Sequence, residues 1–407
     1  MNFRNRPLAR LGAAALLASG AFTALGAPAQ AAGTETDLSI DAVGTRTTSK
    51  VEEKVAWAKI KNLGPNTPSE LMVHIDLNAL EFNKFTVWPA NYADCQPDNY
   101  QHEMKGWYCP VPAEQLPGPG ETLELPLLAF RLNKGTTTSV GEATFTIISK
   151  DDTNPANNTK VAKVELTAES GVDLGLVVPD VKTRIDWKKY DEVDGSEPAL
   201  HPGDATTAFA YIVNQGDLIA DGVDLKITLP KGVVFGADLK ECGYTADRRT
   251  ADCRGGLIQL KPGEDRLGVF PVKVAAGLKA PVSLAGGAAE VSSRGALPVG
   301  AKSLAPGAAQ LPSFLREAAA TDVPKGADLD DSDNSDDFAV IVAAKAADGG
   351  TGGGGGDDDG GLPVTGPQAG LIGSVGVAAA VAGGMLYLAA RRRRVVLVTP
   401  GDEKPTA

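Results

Sequence analysis

Five short landmarks occur twice in this chain in the same order, and that duplication constrains the fold more than any other feature of the sequence. Asp37-Leu38 recurs as Asp173-Leu174, each opening a strand-like segment. Asn62-Leu63-Gly64-Pro65, after the run 55–61, is answered by Asn214-Gln215-Gly216-Asp217 after the run 208–213. Cys95 and Cys109 correspond to Cys242 and Cys253, and Pro119-Gly120-Glu121 to Pro262-Gly263-Glu264. Asp152-Thr153-Asn154-Pro155-Ala156-Asn157-Asn158, before the run 161–167, parallels residues 331–337 before the run 338–343. The pattern predicts two copies of one domain, at residues 36–168 and 171–344, the second with an Ala-, Pro- and Gly-rich insertion at about 296–328.

Within each copy the apolar runs are short and alternate with period two. Leu225, Ile227 and Leu229 stand against Lys226 and Thr228; Ala143, Phe145 and Ile147 against Thr144 and Thr146; Val164 and Leu166 against Lys163 and Glu165. Such runs are strands with one buried face. The 47 glycines and 27 prolines supply turns between them, and 43% hydrophobic residues over 407 positions suffice for real cores. The fold class expected is all-β: two tandem antiparallel β-sandwiches of immunoglobulin-like type, with a C-terminal transmembrane helix in the precursor. No alternation of strands with long helical periods supports a parallel-sheet enzyme fold.

The asparagine-glycine turn, the paired cysteines, the Pro-Gly before a late strand and the Asp-x-Asn-Pro-x-Asn-Asn run resemble the surface-repeat domain found in tandem on bacterial envelope proteins. That resemblance covers about three quarters of the chain. It implies an immunoglobulin-like sandwich serving as a stalk or adhesive module, without catalytic residues. Copy one is the closer match; copy two departs at residues 331–337.

The ends carry a different kind of signal. Arg4, Arg6 and Arg10 precede an uncharged stretch over 11–25, and Ala29-Gln30-Ala31 then offers small residues for cleavage, so residues 1–31 read as a secretory signal peptide cut after Ala31. Residues 371–390 carry no charge, about 30 Å of helix, and place a transmembrane helix within 367–390. Arg391, Arg392, Arg393 and Arg394 follow, a stop-transfer cluster that keeps the tail 391–407 cytoplasmic. Immediately upstream stands Leu362-Pro363-Val364-Thr365-Gly366.

Pentapeptide, apolar helix and arginine cluster together resemble the sorting signal of Gram-positive cell-wall proteins, the substrate of sortase. The resemblance implies that Leu362 and Pro363 are recognised, that the Thr365-Gly366 amide is cleaved, and that Thr365 is joined to peptidoglycan after a transient membrane stage. Residues 345–361, with five consecutive glycines and Asp357 to Asp359, read as a flexible tether between copy two and that signal. The formal charge of −12 becomes about −18 once both ends are removed, which argues against nucleic acid as a partner.

The four cysteines fall two to a copy in an exported chain, where oxidation is permitted. Three connectivities exist in principle; pairing of Cys95 with Cys109 and of Cys242 with Cys253 is favoured because each loop is short and both recur. A loop of about fifteen residues contributes roughly 3 kcal/mol by loop-closure entropy.

No group of residues reads as an active site, so no catalytic residue, metal site or cofactor is assigned. His74, His102 and His201 have no nucleophile elbow nearby, and neither H-E-x-x-H, paired C-x-x-C nor a phosphate-binding glycine loop occurs. The acidic run Asp328, Asp330, Asp331, Asp333, Asp336 and Asp337 offers hard oxygen ligands for Ca2+ but lacks the glycine and terminal glutamate of an EF-hand, and reads as a solvated loop. Trp88, Tyr92, Tyr100, Trp107 and Tyr108 gather near the first cysteine pair and read as core and loop packing rather than a glycan- or protein-binding patch. The function expected is a non-enzymatic surface protein, structural or adhesive, facing a host or neighbouring-cell ligand. A carboxylate-dependent wall hydrolase and a ligand receptor are the alternatives.

Overall fold

The computed structural model describes residues 34–345 apart from 44, 49, 52, 91–94, 99–104, 134–135, 137, 191–192, 194–195 and 301–327. The predicted signal peptide, tether, sorting pentapeptide, transmembrane helix and arginine cluster lie outside the described residues, and so does most of the predicted insertion. Among the described residues no helix is long and apolar enough to cross a membrane.

The chain is all-β. Its first core is enclosed by β1 (Leu38–Ala42), β2 (Thr45–Thr48), β3 (Lys54–Asn62), β4 (Met72–Asp76), β5 (Phe85–Pro89), β6 (Gln96–Pro97), β7 (Gly106–Pro110), β8 (Thr122–Leu132), β9 (Ser139–Ile148) and β10 (Thr159–Thr167). These form one sheet in the order β1-β3-β8-β5 and another in the order β2-β10-β9-β4-β7-β6. A second core follows with β11 (Leu174–Val177), β12 (Ala205–Asn214), β13 (Ile219–Thr228), β14 (Val233–Phe235), β15 (Cys242–Tyr244), β16 (Thr250–Leu260), β17 (Asp265–Val274), β18 (Val282–Leu297) and β19 (Ser335–Val342). Its sheets run β11-β12-β17-β14 and β15-β16-β13-β18-β19. Pairing departs from the antiparallel expectation where β10 joins β2 in parallel, Val164 opposite Thr45.

Alternation is what builds both cores. Leu225 and Ile227 are buried while Lys226 between them is exposed, and Phe145 and Ile147 point into the first core from β9. Val164 and Leu166 do the same from β10. Leaving those rows in water would forfeit about 1.5–3 kcal/mol per large apolar side chain.

The recurring motifs meet one another in space. Asn62 donates its amide to the carbonyls of Asn66 and Pro117, and accepts from the Gly64 N–H at 3.0 Å. Asn214 repeats this with Leu218, Leu260 and Gly216. The Pro-Gly turns dock on the same asparagines: the Gly120 N–H reaches the Asn62 carbonyl at 2.9 Å, and that of Gly263 the Asn214 carbonyl at 2.7 Å. Gly120 and Gly263 sit at φ 74° and 72°, a left-handed conformation that favours glycine.

The acidic segment pairs with its partner three residues earlier than the sequence suggested. Thr36 bridges Asp152 in parallel and Val172 bridges Asp328, and the Leu38 and Leu174 N–H groups donate to the Asp152 and Asp328 carboxylates. The 3-10 turns Pro155–Asn157 and Asp331–Asp333 then coincide. Residues 328–334, not 331–337, therefore answer residues 152–158. The intervening residues 301–327 carry no apolar alternation to fix that register from sequence.

Both cysteine pairs are oxidised within their own modules, Cys95 to Cys109 and Cys242 to Cys253. Cys242 lies directly opposite Cys253 on β15 and β16, so the ladder itself presents the two side chains to one another.

Candidate functional site

The convergence of titratable groups lies at the seam between the two modules. It starts from an anomaly on β3. Lys54, Ala56, Ala58, Ile60 and Asn62 share its inward row, so a lysine heads a line of otherwise apolar and capped residues. Lys54 is 1% exposed. Its ammonium leaves the first module and enters the second, lying 2.7 Å from Asp173, 2.9 Å from Asp330 and 3.4 Å from Asp333.

Asp173 is placed between the Val172 bridge and the start of β11, and the other two by the 3-10 turn ahead of β19. Asp330 also accepts the Arg46 N–H at 2.6 Å and the Ser332 hydroxyl at 2.5 Å. Burial pushes the Asp173 carboxyl up to about 7 and that of Asp333 up to about 8, against the opposing pull of Lys54. Asp330 is lowered instead, because Lys54 and these donors outweigh its burial. The carboxylate oxygens of the trio lie within 4.8 Å of one another, a spacing that suits a metal ion, and the Lys54 ammonium stands among them.

A second layer continues along the seam. Lys59 pairs with Asp336, and with Asp337 at 3.0 Å. Asp336 accepts the Val178 N–H at 2.5 Å, and Glu124, buried beside it, is raised well above the usual carboxylate range by desolvation and by the Asp336 charge. Further along, Asp180 takes the Thr122 N–H of the first module on one oxygen and the Ala339 N–H of the second on the other, both at 2.6 Å. Burial lifts it to about 7. Lys182 meets Glu121 at 3.0 Å, the Val55 N–H meets the Gln215 side chain at 2.9 Å, and the Ser283 hydroxyl meets the Gly120 carbonyl at 3.0 Å. A cleft of about 80 Å3 remains between Trp57, Lys59 and Glu124 on one side and Leu176, Gln215 and Asp333 on the other.

The acidic run is thus not the solvated loop its composition suggested. Asp330 and Asp336 are buried, and they bind lysines that a single-domain reading leaves in water. Chemically the seam is a set of cations held in fitted anion cages. A buried ion pair adds little net stability, since desolvation cancels most of its attraction, but removing one partner costs about 3–5 kcal/mol. Any other docking of the modules would strand Lys54 or Asp173 without a partner, so the charges select one arrangement.

The remaining candidates stand apart from the seam. His74 stacks on Tyr108 at 4.3 Å on the outer face of the β4-β7 pair, and the His201 N–H donates to Asp204. Trp107 is buried in the first core, and the Arg131 guanidinium lies 6.0 Å from the Trp88 ring. His102, Tyr92 and Tyr100 lie outside the described residues, as do Ala29, Ala31, Leu362, Pro363, Thr365, Gly366 and Arg391 to Arg394.

No family model matches this chain, and no curated protein matches it either. Among solved structures it is similar to the C-terminal domain of the Streptococcus agalactiae antigen I/II polypeptide BspA, at 9% identity and TM-score 0.20 over 63% of this chain and 95% of that one. It is similar to the C-terminal domain of the Streptococcus pyogenes antigen I/II-family protein AspA, at 10% identity and TM-score 0.20 over 64% and 97%. A putative membrane-anchored protein from Corynebacterium diphtheriae matches at 9% identity and TM-score 0.20 over 75% and 59%. Likeness at this level carries no argument about what the present chain does.

Proposed function

We propose that this chain is a non-enzymatic surface protein whose two immunoglobulin-like modules act as one rigid spacer, exported and then joined to peptidoglycan by sortase through Thr365. The observation that carries the structural half is the seam: a lysine of one module is buried in a three-carboxylate cage of the next. Modules meant to swing freely would present solvated, exchangeable charges at their boundary, because a buried ion cannot be withdrawn without a large desolvation penalty. Here the boundary is specified charge by charge, which suits a stalk that holds its far end at a fixed distance.

The anchoring half is supported by the order of the pentapeptide, the uncharged stretch and the four arginines. Mass spectrometry of wall fragments released by muramidase is expected to yield a peptide ending at Thr365 and joined to cross-bridge material. Deleting residues 362–366 is expected to release the protein or leave it in the membrane; wall attachment unchanged by that deletion would refute the anchoring.

A further inference from the structure

The duplication allows the outer faces of the two larger sheets to be compared position by position. Cys109 lies opposite Val73 and Cys253 opposite Leu225, so β4, β7 and β9 answer β13, β16 and β18 residue for residue. On the second module this face is charged. Asp224, Lys226, Asp252, Arg254 and Glu290 stand on it, with Arg294 pairing to Asp224 at 2.8 Å and Arg254 to Asp252 at 3.8 Å. In the same five places the first module carries Met72, His74, Tyr108, Pro110 and Thr146. No carboxylate, ammonium or guanidinium remains at any of them.

Apolar groups gather there instead. Val140 and Ile148 of β9, Val161 of β10 and Tyr108 of β7 share the face, and they are four of the eight large hydrophobic side chains exposed among the described residues. Single exposed apolar residues are ordinary, but four on one flat face mark a contact surface. The charges that remain cancel or lie at the margin. Glu142 and Lys163 stand directly opposite one another, Glu165 pairs with Lys163 and Arg46, and Asp76 caps the Asn78 N–H at the end of β4.

We propose that this face binds the same face of a second copy, so that two chains stand side by side through their first modules. The full chain has a formal charge of −12, so copies repel wherever that charge is exposed and can meet only where it is missing. Sheets stack face to face about 10 Å apart when apolar and β-branched rows meet, which is what Val140, Thr144, Thr146, Ile148 and Val161 supply. The area is adequate. β9 and β10, with 10 and 9 residues, are flanked by β4 and β7 with 5 each. At about 3.4 Å per residue and about 4.8 Å per strand these four strands project a flat footprint of roughly 500 Å2. Side chains standing off the sheet enlarge it toward the roughly 800 Å2 that each partner gives to a standard interface. A two-fold axis makes such a contact self-complementary and closes it at two chains.

A glycan strand is the other occupant that aromatic and hydroxyl groups on a sheet suggest, and the ring geometry disfavours it. His74 and Tyr108 are cross-strand neighbours with ring centroids 4.3 Å apart and planes inclined by 17°. That separation is close to the spacing of adjacent strands, about 4.8 Å. The rings therefore stand upright on the sheet, face to face, with their edges outward, whereas a sugar stacks on a ring that lies flat with its face open. The pairing is independent of wall attachment.

Sedimentation equilibrium of the full chain in non-ionic detergent, over a range of protein concentrations, tests this. The wild-type chain is expected to sediment as a dimer. Thr146→Glu with Val161→Asp places on the first module the residues that the second holds in those positions, Glu290 and Asp337, so the sheet should tolerate them. Each copy then turns two carboxylates toward its partner, and like charges brought together are expected to weaken association about 100-fold or more while the melting temperature stays within a few degrees. Should that variant fail to fold, Val161→Asp alone, at a half-exposed position, is expected to weaken association in the same direction. A wild-type chain that is monomeric at every concentration, or a folded variant that dimerises as tightly, would overturn the proposal. A monomeric wild-type chain that co-sediments with purified peptidoglycan, when the variant does not, would give the face to glycan and overturn it equally.

Discussion

Asp333 stands in the second module where Asn157 stands in the first. Asn157 donates its amide to Asp37 at 2.9 Å, closing the turn within its own module. That place now holds a carboxyl instead of an amide, and the Lys54 ammonium, 2.7 Å from Asp173 (the counterpart of Asp37) and 3.4 Å from Asp333, bridges the two from the neighbouring module. Asn154 has likewise become Asp330. Two amide-to-carboxylate exchanges thus turn an internal cap into a socket for another domain.

It follows that removing the cation alone should be harmful and removing it together with the added charges should not. Lys54→Met is expected to lower stability by about 3–5 kcal/mol, the cost of an uncompensated buried charge. Adding Asp330→Asn and Asp333→Asn restores the arrangement of the first module and should recover most of the loss. Urea unfolding of the single and triple variants measures this; equal instability in both would show that the exchange is not the basis of the socket.

Much of this architecture is written in local signals. Strand alternation, the Asn-x-Gly turns and the cysteine spacings depend on residues a few positions apart, so the cores around Phe145 and Leu225 and both disulfides were readable. The seam depends on residues far apart in the chain. One trace of it existed, because Lys54 shares its parity with Ala56, Ala58 and Ile60 and so heads an inward row. A second was hidden by the three-residue slip in matching the acidic segment. Only with Asp328 set against Asp152 do Asp330 and Asp333 fall on Asn154 and Asn157.

Gly216, after the second of the duplicated asparagines, should be less replaceable than Gly263 of the second Pro-Gly turn. A Cβ on Gly216 would stand 2.3 Å from the Gly171 carbonyl oxygen and 2.7 Å from the Asp173 nitrogen, and one on Gly64 would stand 2.5 Å from the Asp37 nitrogen. Backbone must move, so Gly216→Ala is expected to cost about 1–3 kcal/mol or more and to disturb the placement of Asp173. Gly263 has open space around it and only its positive φ to lose, so Gly263→Ala should cost about 1–2 kcal/mol. Thermal unfolding of the two variants gives the comparison, and a smaller loss in Gly216→Ala would contradict the packing.

Opening the second disulfide should be felt within its own module. Cys242 and Cys253 close a loop of 11 residues in sequence separation, and loop-closure entropy assigns such a loop about 3 kcal/mol. Replacing both by alanine is expected to lower the melting temperature by about 6–12 °C for a module of this size. Reduction of the unmodified protein opens both disulfides and should cost at least as much, while the double-alanine variant responds to reductant only through Cys95 and Cys109.

Stability should fall as pH rises from the mildly acidic range toward about 8. Burial holds Asp180 up to about 7 and Asp333 up to about 8, well above their values in an unfolded chain. A carboxyl whose folded pKa is raised keeps a proton that unfolding releases, so its contribution is complete below the ordinary carboxylate range and is lost as pH rises through the folded value. Lys54 and Lys59 are raised and stay charged in both states across that window, and Asp330 and Asp337, being lowered, act only when pH drops below about 4. Stability is therefore expected to decline from about pH 4 and to level off above about pH 8, by up to about 1.4 kcal/mol per pH unit for each proton held. Asp180→Asn, which cannot ionise, should flatten part of that slope while leaving an acceptor for the Thr122 N–H. Melting temperatures from pH 5 to 9 for both proteins check the sign, and a profile that rises toward pH 9 would mean that these carboxylates are charged in the folded seam.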